Sequence, residues 1–153
     1  MEIWQKPEIK AHSQALISSF KTLVDRDLIT TTGDVDADTR ALFHAPFALL
    51  SHGTEADPIL NYGNETALNL WEMDFAHFTQ MPSRLTAEPM LREERQRLLE
   101  TAARKGYIDD YAGIRISASG KRFRISNVIL WSVTDTTGAQ LGQAAFFDQW
   151  EYV

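Results

Sequence analysis

The last third of the chain, Gly106 to Val153, most constrains the fold, because it reads as three consecutive antiparallel strands. In Tyr111-Ala-Gly-Ile-Arg-Ile-Ser-Ala118, Ala112, Ile114 and Ile116 alternate with Gly113, Arg115 and Ser117. That alternation marks a half-buried strand and assigns Ile114 and Ile116 to the core. Ser119-Gly120-Lys121 supplies a turn. The run from Arg122 to Thr134 places Phe123, Ile125, Ile129, Trp131 and Val133 on one face, and Asp135 to Gly138 breaks it. A third run, Gln140 to Tyr152, is rich in Ala, Phe and Trp. Such a meander is half of a small α+β domain.

The preceding sequence supplies the other half. Pro7 to about Asp27 forms an amphipathic helix with Ile9, Leu16, Phe20, Leu23 and Val24 on one stripe. Thr30 to Asp38 is polar and turn-rich and reads as a linker. Phe47 to Leu50 and Pro58 to Tyr62 are short strand candidates. Asn64 is a good N-cap for a short helix, Glu65 to Met73, and a further helical stretch ends at Pro82. Glu88-Pro89 opens a longer helix with an apolar stripe of Leu91, Leu98, Leu99 and Ala102, which Gly106 ends. This order predicts a PAS-like five-stranded antiparallel sheet with helices on one face, plus the N-terminal amphipathic helix. Residues 1–38 form the helix and linker, and 39–153 the domain proper.

Composition excludes several functions. Residues 1–80 hold 5 basic and 12 acidic side chains, and residues 81–153 hold 10 and 9. An acidic chain without a basic stripe lacks the electrostatic footprint of a nucleic-acid binder. Arg92-Glu-Glu-Arg-Gln-Arg97 interleaves its acids at helical spacing and reads as a solvated face. With no cysteine, a disulfide framework, a Cys-ligated zinc, a thiolate nucleophile and a cysteinyl–flavin adduct are all excluded. No stretch approaches the roughly 18 apolar residues of a membrane span. The N-terminus has no apolar run like that of a signal peptide, so the expectation is a cytoplasmic protein without membrane contact.

Two blocks resemble the MEKHLA domain, a PAS-related module found alone in bacteria and at the C-terminus of plant class III homeodomain–leucine zipper regulators. The first is Asn61-Tyr-Gly-Asn-Glu-Thr-Ala-Leu-Asn-Leu-Trp71, followed by Met81-Pro-Ser-Arg-Leu-Thr-Ala-Glu-Pro89. The second runs from Gly106 to Phe123, with Trp131 and Phe147-Asp-Gln-Trp150 beyond it. The resemblance covers residues 40–153 and implies a PAS-like fold and a sensory or regulatory role. No homeodomain or zipper heptad is present, so the plant proteins' DNA-related functions do not transfer.

Within that frame, a pocket between helices and sheet is expected from Trp71, Phe75, Phe78, Met81, Ile114, Ile116, Ile125 and Trp131. Arg84 is a candidate for an acidic ligand group. The competing reading is a filled aromatic core. The expected function is a non-catalytic sensing or protein-interaction module that takes a small apolar or aromatic ligand and forms a homodimer. The alternative is a cone-shaped isomerase or dehydratase using Tyr62, Asp74 and His77. No cofactor is predicted. The residues considered for one are His77 for haem, and Asn127 with Gln143 for non-covalent flavin. The four histidines, His12, His44, His52 and His77, form no metal-ligand pair at useful spacing. On strand parity, Val128 and Leu130 point away from the helices, with one of Phe146 and Phe147. The first helix is expected to cap that outer face, either from its own chain or exchanged across a two-fold dimer, with the dimer favoured.

Overall fold

A computed structural model describes residues 1–87 and 92–153. The elements are α1 (Pro7–Val24), α2 (Val35–Phe43), β1 (Ala48–His52), β2 (Leu60–Gly63), α3 (Glu65–Trp71), α4 (Phe75–Phe78), α5 (Arg92–Lys105), β3 (Tyr107–Ile116), β4 (Arg122–Thr134), β5 (Gln140–Phe147) and β6 (Gln149–Tyr152). The strands form one antiparallel sheet in the order β2-β1-β5-β4-β3, and β6 continues β5 along β4. The expected architecture is present. None of the helices among the described residues is long and apolar enough to cross a membrane.

Local sequence explains the element boundaries. Pro7 sits in the first turn of α1, where its missing N–H has no helical partner to lose. Asp34 caps α2 by accepting from Asp36 N and Ala37 N, so a helix begins inside the stretch expected to be a linker. Asn64 caps α3 through Ala67 N and also accepts from Leu49 N at 3.1 Å. Its amide donates to the carbonyls of Leu42 and Phe47 at 3.2 and 2.9 Å. This buried side chain therefore ties α2, β1 and α3 together. Gly106 follows α5 with φ +96°, a conformation that favours glycine. Glu88, Pro89 and Leu91 of the expected long helix lie outside the described residues, as do the side chains of Leu99 and Ala102. Leu98 packs half-buried against the core.

The sheet is apolar on both faces. Phe123, Ile125, Val128, Leu130 and Phe147 face α3 and α5 in one cluster with Trp71 and Phe78. Ile129, Trp131, Val133 and Phe146 form a second cluster with Leu16 and Phe20 of α1. α1 caps the outer face of its own sheet, and Phe146 lies under it. The β4 residues beneath α1, however, are not Val128 and Leu130, which face inward. Asn127 is left-handed (φ 52°), and between Gly113 and Tyr111 β3 advances two positions while β4 advances three, from Ile125 to Val128. This bulge reverses the side-chain alternation of β4 at its midpoint. A second bulge at left-handed Asp110 (φ 61°) reverses β3. Gly113 and Arg115 therefore pair with Ile125 and Phe123 on the inner side, while Ile114 and Ile116 pair with Arg124 and Arg122 on the outer side.

α1 is held by more than apolar contact. The Trp131 indole donates to Ser19 Oγ at 2.9 Å, and Phe20 lies 4.9 Å from the Trp131 ring. His12 Nε2 meets Ser51 Oγ at 2.9 Å, and Ser51 Oγ donates to Asn61 Oδ1. Burial lowers the His12 imidazole from its usual value of 6.5 to about 4. The folded state thus holds His12 neutral, whereas the unfolded chain protonates it below its ordinary value. Stability is complete above pH 6.5 and falls as the pH drops towards about 4. The expected loss is roughly 2–3 kcal/mol, allowing for solvent screening. Urea unfolding across that range measures it, and His12→Gln should flatten the dependence. Equal slopes in the two proteins would contradict this account.

Candidate functional site

The cavity between α3, α5 and the sheet has a volume of about 40 Å³. Trp71 of α3 and Leu98 of α5 line one side. Leu50, Leu60, Ile125, Val128 and Leu130 give it an apolar wall. Tyr111 and Arg115 on β3, with Ser51, His52, Thr86 and Gln143, add polar groups, and no carboxylate lines it among the described residues.

Tyr111, Gly113 and Arg115 occupy alternate positions on the inner side of β3. Arg115 is 5% exposed, and its guanidinium folds back over Gly113. There Nη2 donates to the Tyr111 hydroxyl oxygen at 3.0 Å and Nη1 to the Ile114 carbonyl at 2.9 Å. The guanidinium also lies 5.5 Å from the Tyr111 ring. Ser117, next on the same face, donates with Ser119 to Glu72. Those bonds, with Lys121 nearby, hold the Glu72 carboxyl below its usual range.

Of the residues expected to form the pocket, the structure brings Trp71 and Ile125 to the cavity. Phe78 is fully buried beside Trp71 but packs its ring against Gly63. Phe75 stands edge-on to Tyr62, and Met81 packs partly buried against the inner cluster. Arg84 is exposed and pairs with Asp57 at 3.2 Å. The two bulges put Ile114, Ile116 and Trp131 on the opposite face, because strict alternation fails at Asp110 and Asn127. Tyr111 and Arg115 were missed for the same reason. A signal was present: a glycine midway between a phenol and a guanidinium on one strand face leaves room for the two to meet.

The other candidates are not assembled at the cavity. Asp74 and His77 pair at 2.7 Å as an exposed couple at the start of α4. Tyr62 is buried in the second cluster, and burial pushes its hydroxyl up. Asn127 is exposed and donates to Gln149 Oε1 at 2.8 Å, whereas Gln143 lines the cavity. An apolar cavity of about 150 Å³ admits benzene. The much smaller space here fits neither a flavin ring system nor haem, and His77 lies outside it.

A sheet in the order β2-β1-β5-β4-β3, with helices between its second and third strands and a cavity beneath them, defines a PAS-type domain. The MEKHLA domain model matches residues 10–152, and the chain belongs to that family. Solved structures agree on the fold. A PAS domain from Colwellia psychrerythraea is similar with a TM-score of 0.65 at 10% identity, covering 78% of this chain and 96% of that one. The light-state dimer of the fungal blue-light photoreceptor Vivid gives a TM-score of 0.59 at 14% identity, covering 87% and 90%. A PAS domain of a LuxR-family transcriptional regulator from Burkholderia thailandensis, in complex with ethanol, gives 0.55 at 18% identity, covering 74% and 95%. No curated protein sequence matches the chain.

A Cβ on Gly113 would lie 2.6 Å from the Tyr111 hydroxyl and 3.0 Å from Arg115 Nη1. Gly113→Ala should therefore lose about 1–3 kcal/mol rather than gain the roughly 0.5–1 kcal/mol that alanine gives at an open strand position. Urea denaturation measures the sign, and a stabilised variant would show that the Tyr111–Arg115 pair does not close over the glycine.

Proposed function

We propose that the chain is a non-catalytic regulatory module that senses a small molecule in the cavity beneath α3 and α5. The observation that carries this reading is the cavity itself: a partly open space with an apolar wall and a buried Tyr111–Arg115 pair in its lining. Of the pocket residues expected from sequence, Trp71 and Ile125 belong to this site; Tyr111, Arg115, Val128 and Leu130 complete it. β4 offers a route for the signal. Its Val128 and Leu130 line the cavity, while the intervening Ile129 and the adjacent Trp131 pack beneath α1. A ligand that moves β4 shifts the packing of α1, which a partner then reads.

A homodimer is part of the proposal. Ile114 and Ile116 stand half-exposed on the outer face of β3. A self-complementary contact between two copies would cover them. Light scattering tests this, and a monomeric mass would rule the dimer out.

Xenon enters apolar cavities and marks them directly. Crystals pressurised with xenon should show an atom against Leu60 and Val128. Density for a solidly packed interior, with no xenon there, would contradict the sensing function.

A further inference from the structure

Ser51, His52, Thr86 and Gln143 line the cavity together with Tyr111, Arg115 and Trp71, but none of these side chains carries a negative charge to set against the Arg115 guanidinium. Arg115 is buried and carries a guanidinium cation. Among the described residues, two of its N–H bonds are engaged, by the Ile114 carbonyl and the Tyr111 hydroxyl. No carboxylate pairs with it among the described residues. Glu72, an acid on the cavity side of the fold, is instead bound by Ser117, Ser119 and Lys121. The Tyr111 oxygen accepts from Arg115, which leaves its own hydrogen to donate. Trp71 also lines the cavity, and its Nε1–H is buried with no partner. An indole nitrogen can only donate.

A buried charge taken from water without a counter-ion carries a penalty of several kcal/mol. Here that charge is held by a built arrangement, since Gly113 makes the room in which Tyr111 and Arg115 meet. The missing component is a single negative charge that accepts several hydrogen bonds. A phosphate dianion would bring excess charge against Leu50, Leu60 and Val128. A carboxylate with a short hydrocarbon tail satisfies both ends.

We infer that the cavity binds a short-chain monocarboxylate. Its carboxylate accepts from Arg115, Tyr111 and Trp71, and its tail lies against the apolar wall. This rests on the cavity being a ligand site and specifies the chemistry of that ligand.

The test compares propionate with propionamide, which has nearly the same shape without the charge, at matched ionic strength. The readout is the Trp71 indole cross-peak in 15N-HSQC titrations. Propionate should shift that peak saturably and bind on the order of tenfold more tightly than the amide, the margin of a charge-assisted hydrogen bond. Arg115→Met, which keeps the side-chain length, should bind the two probes alike. It should also melt higher than the unliganded wild type, because it removes an unpaired buried charge. A lower melting point with unchanged probe selectivity would make Arg115 structural and overturn the inference. If Arg115→Met does not fold, the two probes on the wild type decide alone: equal affinities, or no response of Trp71 to propionate, overturn the inference. Should xenon still occupy the cavity in that case, the sensing function stands and only the carboxylate falls. Should xenon be absent as well, both fall together.

Discussion

The left-handed residue Asn127 is the constraint on which the rest of the structure depends. It reverses the alternation of β4 at its midpoint, so one strand feeds two cores. Before it, Phe123 and Ile125 face inward; after it, Val128 and Leu130 do. Ile129, Trp131 and Val133 are thereby turned to the outer face, too large an apolar surface to leave in water. α1 covers them, and the Trp131–Ser19 hydrogen bond satisfies the one polar atom that Trp131 buries. The complementary bulge at Asp110 turns Arg115 inward and Ile114 outward. The cavity, its buried charge and the helical cap thus follow from two polar residues able to adopt a left-handed backbone.

Much of the architecture was legible in the sequence. The strand meander, the Asn64 cap, the Gly106 stop and the capping role of the first helix each rest on a local signal that tertiary packing reinforces. The blocks that resemble the MEKHLA domain contain residues with clear physical duties. Asn64 joins three elements by four hydrogen bonds. Gly63 leaves space for the Phe78 ring, since a Cβ there would lie 2.6 Å from it.

The inner wall was less legible, because alternation carries parity forward through every residue of a strand. One bulge inverts all that follows. Asp110 and Asn127 occupy strand positions, and the ease with which Asp and Asn adopt a left-handed backbone does not by itself mark a bulge. The reading that placed Ile114 and Ile116 inside therefore placed Arg115 outside, and the most unusual buried group of the cavity went unseen. α2 was hidden differently. Its acidic first turn resembles a linker until Asp34 is recognised as its cap.

The central claim is that β4 separates two cores, with Trp71 beside the cavity and Trp131 beneath α1. A NOESY spectrum of the indole N–H protons tests it without any ligand. The Trp131 indole proton should show cross-peaks to Ser19 and Phe20, and the Trp71 ring protons to Phe123 and Phe147. Cross-peaks joining the Trp131 ring to Trp71 or Phe123, with none to α1, would place both tryptophans in one core and contradict the account.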